Sequence, residues 1–226
     1  RFSFIFGDQF SRLNPGRNWM IGGDAQWRPT RALLLEGQGV LDDWSVTQPN
    51  LAAGGAPRPN RWALSVAASG PMGGAMGWRA SYTMVSSLAF RTFIPAENFT
   101  DGGVGIGRNF PDNWLLSLAL TVPVRGSWLV TPEANLLRQG EGALDRPFPS
   151  GPDLTATPDW LIGTVRTTWR MGVGVSGQPG PVGLSAVVGF HHTTNAGHQP
   201  GKSLNRLEAR LSATIGFRTH RGLPRD

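Results

Sequence analysis

The residues best equipped for chemistry in this chain are arginines set at two-residue rhythm among apolar side chains. Of its 21 basic residues only Lys202 is a lysine. Arg28, Arg61, Arg79, Arg91, Arg166, Arg170, Arg206, Arg210 and Arg218 fall at alternating positions within otherwise apolar or small-residue runs. Asp24, Glu36, Asp42, Glu133 and Glu208 fall at the same kind of position but are fewer. A guanidinium is a rigid fork of donors that matches carboxylate and phosphate. Two chemistries fit: a surface that binds anionic glycan or small anions, or a ladder of Arg–acid pairs that satisfy one another. Glu208, between Arg206 and Arg210, is placed as such a ladder requires. The candidate ligand-binding set is Arg28, Arg79, Arg166, Arg170, Arg206, Arg210, Glu208, Asp24 and Glu36.

Other candidates are weaker. His191-His192 and Asp42-Asp43 stand at strand ends, as a surface hydrolase would need. General-base work requires these groups within hydrogen-bond reach, and nothing in the sequence brings them together. No catalytic residue is assigned, and the chain is expected to be non-enzymatic. Trp44, Phe99, Phe110 and Phe148, in long polar segments, could stack on sugar rings or pack those segments down as a plug. The glycines of Gly103-x-Gly105-x-Gly107 precede no helical pattern, so they do not form a phosphate cradle. Cysteine is absent, which excludes disulfides, thiolate metal sites and cysteine nucleophiles. No metal site and no cofactor are expected.

These side chains must be positioned by strands. The chain has 31 Gly and is 16% charged, against about 25% in a typical soluble domain. No apolar run nears the ~18 residues of a spanning helix, and 9 Trp with 11 Phe disfavour disorder. The hydrophobic period is two nearly throughout, the mark of half-buried strands. In 18–28, Trp19, Ile21, Gly23, Ala25 and Trp27 share one face; in 206–218, Leu207, Ala209, Leu211, Ala213, Ile215 and Phe217 do. The same alternation marks strands over 32–43, 61–70, 76–91, 113–122, 127–139, 161–175 and 182–191. Residues 2–10 could add a tenth. Short turns at 29–31, 71–74, 124–126 and 178–181 alternate with long polar segments at 44–60, 92–111, 140–157 and 193–202. Outer-membrane barrels have this asymmetry of short periplasmic turns and long external loops.

A soluble antiparallel sheet is the alternative. Against it, the polar face carries arginines flanked by Ser, Thr and Gly, which suits a wet lumen. Aromatics also collect near strand ends: Trp19, Trp62, Phe90, Trp114 and Phe190 on the loop side, Trp27, Trp78, Trp128 and Phe217 on the turn side. Trp19 and Trp27 would be ~26 Å apart along a strand, or about 20 Å after a ~40° tilt, near the ~25 Å band between membrane girdles. The fold expected is all-β: a transmembrane antiparallel up-and-down β-barrel with about nine or ten strands in this chain. Residues 1–17 form a partial strand or loop, 18–219 the barrel strands and 220–226 a periplasmic tail. An open edge in hydrocarbon would leave backbone groups unpaired at several kcal/mol each, so the chain is expected to be a whole barrel or, preferably, the C-terminal part of a larger one. Alternation of the arginines into a lumen disfavours nucleic acid as a partner.

From Gly16 onward the chain resembles the capsule-assembly family of outer-membrane barrels, the Wzi type. The residues that carry this are Gly16 to Asp24 (GRNWMIGGD), Trp27-Arg28-Pro29, Leu33 to Gln38 (LLLEGQ) and Leu41-Asp42-Asp43. Ile106-Gly107-Arg108 and Asp112-Asn113 look like a later segment of the family, with Arg in place of His. Glu36 and Gly39 depart from the family's pattern, and nine residues follow Phe217. The resemblance implies the second half of a larger barrel in a bacterial outer membrane, associating with surface or capsular polysaccharide without catalysis. The partners it implies are outer-membrane lipid and lipopolysaccharide, and an anionic surface polysaccharide. A porin-like passive channel for small anionic solutes is the alternative, a surface hydrolase the next.

Overall fold

Where large apolar residues alternate with small or polar ones, the backbone is extended and paired. The computed structural model describes residues 2–7, 20–42, 61–91, 100–101, 104–105, 111–144, 149, 153 and 156–215. The strands are β1 (Phe2–Gly7), β2 (Met20–Thr30), β3 (Leu33–Asp42), β4 (Arg61–Pro71), β5 (Gly77–Val85), β6 (Thr100–Asp101), β7 (Val104–Gly105), β8 (Asn113–Pro123), β9 (Leu129–Gln139), β10 (Arg166–Gly177), β11 (Val182–Thr194) and β12 (Ser203–Ile215). β6 and β7 form a two-residue hairpin of their own. The other ten make one open antiparallel sheet in chain order, with β1 and β12 at its edges. Neighbours in this sheet follow one another in chain order, with only the β6–β7 hairpin between β5 and β8, so this is an up-and-down sheet. Among the described residues no helix is long and apolar enough to cross a membrane, a fact silent about strands.

Register fixes the two faces. Leu35↔Ala68, Ala68↔Ala80, Ala80↔Leu118, Leu118↔Ala134 and Ala134↔Met171 lie on one side. Glu36↔Ala67, Ala67↔Ser81, Ser81↔Ser117, Ser117↔Asn135 and Asn135↔Arg170 lie on the other. A one-residue slip would exchange the faces, and no pairing of these strands slips. Among the described residues the one register shift lies between Trp27 and Thr30, where β2 bulges past Leu33 and carries Arg28 with it. The apolar face is open: Leu118 is 49% exposed, Met171 65% and Leu211 79%.

The buried residues lie elsewhere. Leu88, Ala89, Ser86, Ser87, Asp112 and Asn113 are buried almost completely, all at the end of the sheet where the long connections are. Val85, Arg61 and Gln139, on the polar face at that end, are buried with them. The described parts of the connections, among them 86–91, 111–112 and 140–144, therefore cover the polar face at that end.

The structure corrects several boundaries. β1 takes part of the stretch expected to add a strand, pairing Phe2↔Ala25 through Gly7↔Met20. The expected strand over 76–91 stops at Val85, so Phe90 is not a strand-end girdle residue; it sits in a turn with φ 63°. Ser86 still bonds Trp62 in the β4–β5 register, but the Ser87 N–H turns to the Asp159 carbonyl, and the alternation with Met84 and Leu88 is broken there. β10 begins at Arg166 rather than near 161, because Leu161 (φ 60°) and Gly163 (φ 65°) curl the chain first. β11 runs on to Thr194.

Candidate functional site

The polar face carries its charges as cross-strand clusters. On β3 to β5, Arg79 reaches over β4 to the Glu36 carboxylate at 2.5 Å, and the Gln26 side-chain amide donates to the same group at 3.5 Å. Such a reach needs small residues beneath it, and β4 supplies Ser65, Ala67 and Ser69 on this face. The Ser65 and Thr83 hydroxyls share a hydrogen bond of 3.0 Å.

On β9 to β12 a second cluster forms. Arg170 pairs with Glu133 and lies 3.6 Å from Glu208, and the Glu208 carboxylate is 2.9 Å from His191 Nε2. Room for the guanidinium comes from Gly172 and Gly189: a Cβ on Gly189 would lie 3.0 Å from Arg170 Nη2. Arg166 donates to the Gln139 side chain, and the Thr168 and Thr193 hydroxyls meet at 3.0 Å. Arg206 and Arg210 stand opposite His191 and Val187 on the edge strand and make no ion pair among the described residues.

A third arrangement, at the long-connection end, was not anticipated. Asp112 (φ 62°) points its carboxylate into the folded connections, where it accepts from the backbone N–H groups of Gly142 (2.9 Å), Ile162 (3.0 Å) and Leu161. Its own carbonyl accepts from Gly140 N–H at 2.8 Å, and Glu141 accepts from Thr164 N–H at 2.9 Å. Burial raises the Asp112 carboxyl above its ordinary pKa, against the opposing pull of the three N–H groups and Arg91. Asp42 accepts from Phe90 N–H, and Arg61 donates to the Arg91 carbonyl. The β5–β8 connection, the β9–β10 connection and the facing ends of β3 and β4 are thereby tied into one knot. A Cβ on Gly140 would stand 2.0 Å from Asp112 Oδ2 and 2.6 Å from Ile162 N. Gly140→Ala is therefore expected to open the knot, read as faster amide exchange at 142 and 161–162 with mid-strand amides unchanged.

Of the candidate ligand-binding residues, Arg79 and Glu36 come together, as do Arg170 and Glu208. Asp24 faces Gln38 beside the first pair. Arg28 is set apart in the β2 bulge, exposed. Glu208 does not bridge Arg206 and Arg210 as the ladder reading expected; it turns across β11 to Arg170 and His191. His191 and His192 point to opposite faces, His192 Nδ1 meeting the Asn205 side-chain oxygen at 2.7 Å. Asp42, on β3, is separated from β11 by β4, β5, β8, β9 and β10. Among the described residues, Asp42 and the histidine pair are thus not brought together along this sheet.

Trp27 and Trp78 on the turn side, with Trp128 just before β9, and Trp62, Trp114 and Phe190 nearer the long connections, keep their expected strand positions. Trp169, half-exposed, lies on the same face, as the alternation of β10 assigns it. Trp62 meets Trp160 edge-on at 6.2 Å. Trp19, Asp43, Trp44, Phe99, Phe110, Phe148, Phe217 and Arg218 lie outside the described residues. Comparison of the chain with protein-family models and with curated proteins finds no match.

Proposed function

We propose that the chain forms an outer-membrane β-barrel, or the C-terminal part of one, that associates non-enzymatically with surface or capsular polysaccharide. The observation that carries this reading is the division of one up-and-down sheet into an exposed face of large apolar side chains and an opposite face of arginines, carboxylates, hydroxyls and amides. In lipid the first face is solvated by acyl chains and the second lines a wet interior. The sequence resemblance to capsule-assembly barrels supplies the ligand class. The described connection residues that cover the polar face at one end favour a restricted interior over a wide pore.

Arg206 and Arg210, without ion-pair partners among the described residues, are open to an anionic glycan. They also support the second reading, a passive channel for small anions. Retention of polygalacturonate by the detergent-solubilised protein, weakening as salt is raised and falling several-fold in the Arg206→Ala/Arg210→Ala double variant, is the expected result. A large steady current in planar bilayers, with no retention of polysaccharide, would replace this reading by the channel.

A further inference from the structure

We infer that the polar recess over β2 to β5 is a binding site for an uncharged, hydroxyl-rich sugar unit. This rests on the polysaccharide reading above and assigns one part of the chain its own specificity. The recess holds about 500 Å³ and is walled by Asp24, Gln26, Glu36, Gln38, Ser65 and Arg79. Pockets for small ligands run from about 300 to 1,000 Å³, so one or two pyranose rings fit.

The recess exists because of residue size. The polar face of β4 carries Ser65 and Ala67, and Ala67 is flanked by Ser81, so the floor is low. Glu36 and Gln38 on β3, with Asp24 and Gln26 on β2, form one wall, and Arg79 spans the floor from the other. Glu36 is held by both Arg79 and Gln26, which fixes its carboxylate for recognition.

The chemistry points to hydroxyl groups. Vicinal hydroxyls both donate and accept, and this wall offers carboxylate acceptors, an amide that does both, a serine hydroxyl and a guanidinium donor. Two carboxylates stand against one guanidinium, a formal excess of one negative charge among the lining residues. An anionic unit is disfavoured there. On β9 to β12 the balance is reversed: Arg166, Arg170, Arg206 and Arg210 face Glu133 and Glu208. One face thus sorts its ligands, with acidic units directed to β12 and neutral units to β2–β5.

The test measures binding of neutral oligosaccharides (isomaltohexaose and maltohexaose) and, separately, of polygalacturonate by the full chain in detergent. The variants are Gln38→Ala, Ala67→Trp, which fills the floor, and Arg206→Ala/Arg210→Ala. The expected result is at least tenfold weaker neutral binding in the first two, none of that loss in the arginine variant, and no change on adding a chelator. Neutral binding that survives both Gln38→Ala and Ala67→Trp, or that needs a divalent cation, overturns the recess as this site. Absence of neutral binding in the unaltered protein overturns it as well. Retention of polygalacturonate, read independently, then decides whether the polysaccharide reading stands without it.

Discussion

Replacing Asp112 by alanine is expected to release the knot at the long-connection end while leaving the sheet paired. The carboxylate is the common acceptor for three backbone donors, from Gly142, Leu161 and Ile162. Each buried donor left without a partner costs about 1–3 kcal/mol. Gly142 N–H is buried and those of Leu161 and Ile162 are part-buried, so at the lower end the three together cost at most about 3 kcal/mol, up to roughly a hundredfold faster local exchange at about 1.4 kcal/mol per tenfold. A second effect comes from the backbone. Asp112 has φ 62°, which Asp and Asn tolerate and which costs alanine about 1–2 kcal/mol.

A short series separates the two. Asp112→Gly removes the acceptors and relieves the backbone, so it should be less damaging than Asp112→Ala by about 1 kcal/mol. Asp112→Asn keeps one oxygen and the backbone conformation but sets an amide NH₂ against an N–H, so it should fall between the native protein and the glycine variant. Amide exchange at 142, 161 and 162, against that of the β8–β9 pairing, reads all three. If the native and alanine proteins exchange alike at these amides, the carboxylate does not hold the knot. The pH dependence has a definite sign. Burial raises the folded carboxyl pKa, so the folded state takes up its proton more readily than the unfolded chain. The contribution is full below the ordinary carboxyl range and declines as pH rises through the raised value. After correction for intrinsic exchange, the native knot should loosen over that window and the Asn variant should not.

Such a knot is hard to read from a sequence. Strand faces are legible because alternation is local: each residue's side follows from its neighbour's. Hence Glu36, Arg79, Glu133, Arg170, Arg206 and Glu208 fall on the face their spacing assigns them. What they touch is not local. Glu208 sits two residues from both Arg206 and Arg210, about 7 Å along a strand, and faces Gly189, whose lack of a side chain lets the carboxylate lie over β11. Its partners accordingly lie across the sheet, on β10 and β11, and the glycines that clear the way, Gly172 and Gly189, announce nothing by themselves. Asp112 is further from view. Its partners are main-chain groups some 30 to 50 residues away, and backbone N–H groups leave no trace in composition. The one local sign is the run Pro111-Asp112-Asn113, rich in turn formers at the mouth of a strand. Phe90 shows the opposite failure, a continued alternation that outlasts the strand by five residues, since β5 stops at Val85.

The largest consequence of the proposed function is that a charge on the apolar face will be far less tolerated than one on the polar face a single residue away. Leu118 lies mid-strand on β8, 49% exposed, between Ala80 and Ala134. Ser117 lies between Ser81 and Asn135 on the opposite side. If the sheet were bathed in water on both faces, Leu118→Arg would be a surface change within about 0.5 kcal/mol, and Ser117→Arg no different. With acyl chains against Leu118, an arginine there costs about 2–4 kcal/mol near the bilayer midplane, while at Ser117 it joins a wet interior. Urea unfolding from lipid vesicles should therefore show Leu118→Arg destabilised by that amount and Ser117→Arg close to the native protein. Equal stability of the two variants would place water, not lipid, against the leucines, and the outer-membrane reading would fall with it. The same pair in detergent-free buffer supplies the converse: a chain built to face lipid should aggregate through Leu118, Met171 and Leu211, and Leu118→Arg should then improve its solubility while weakening it in the membrane.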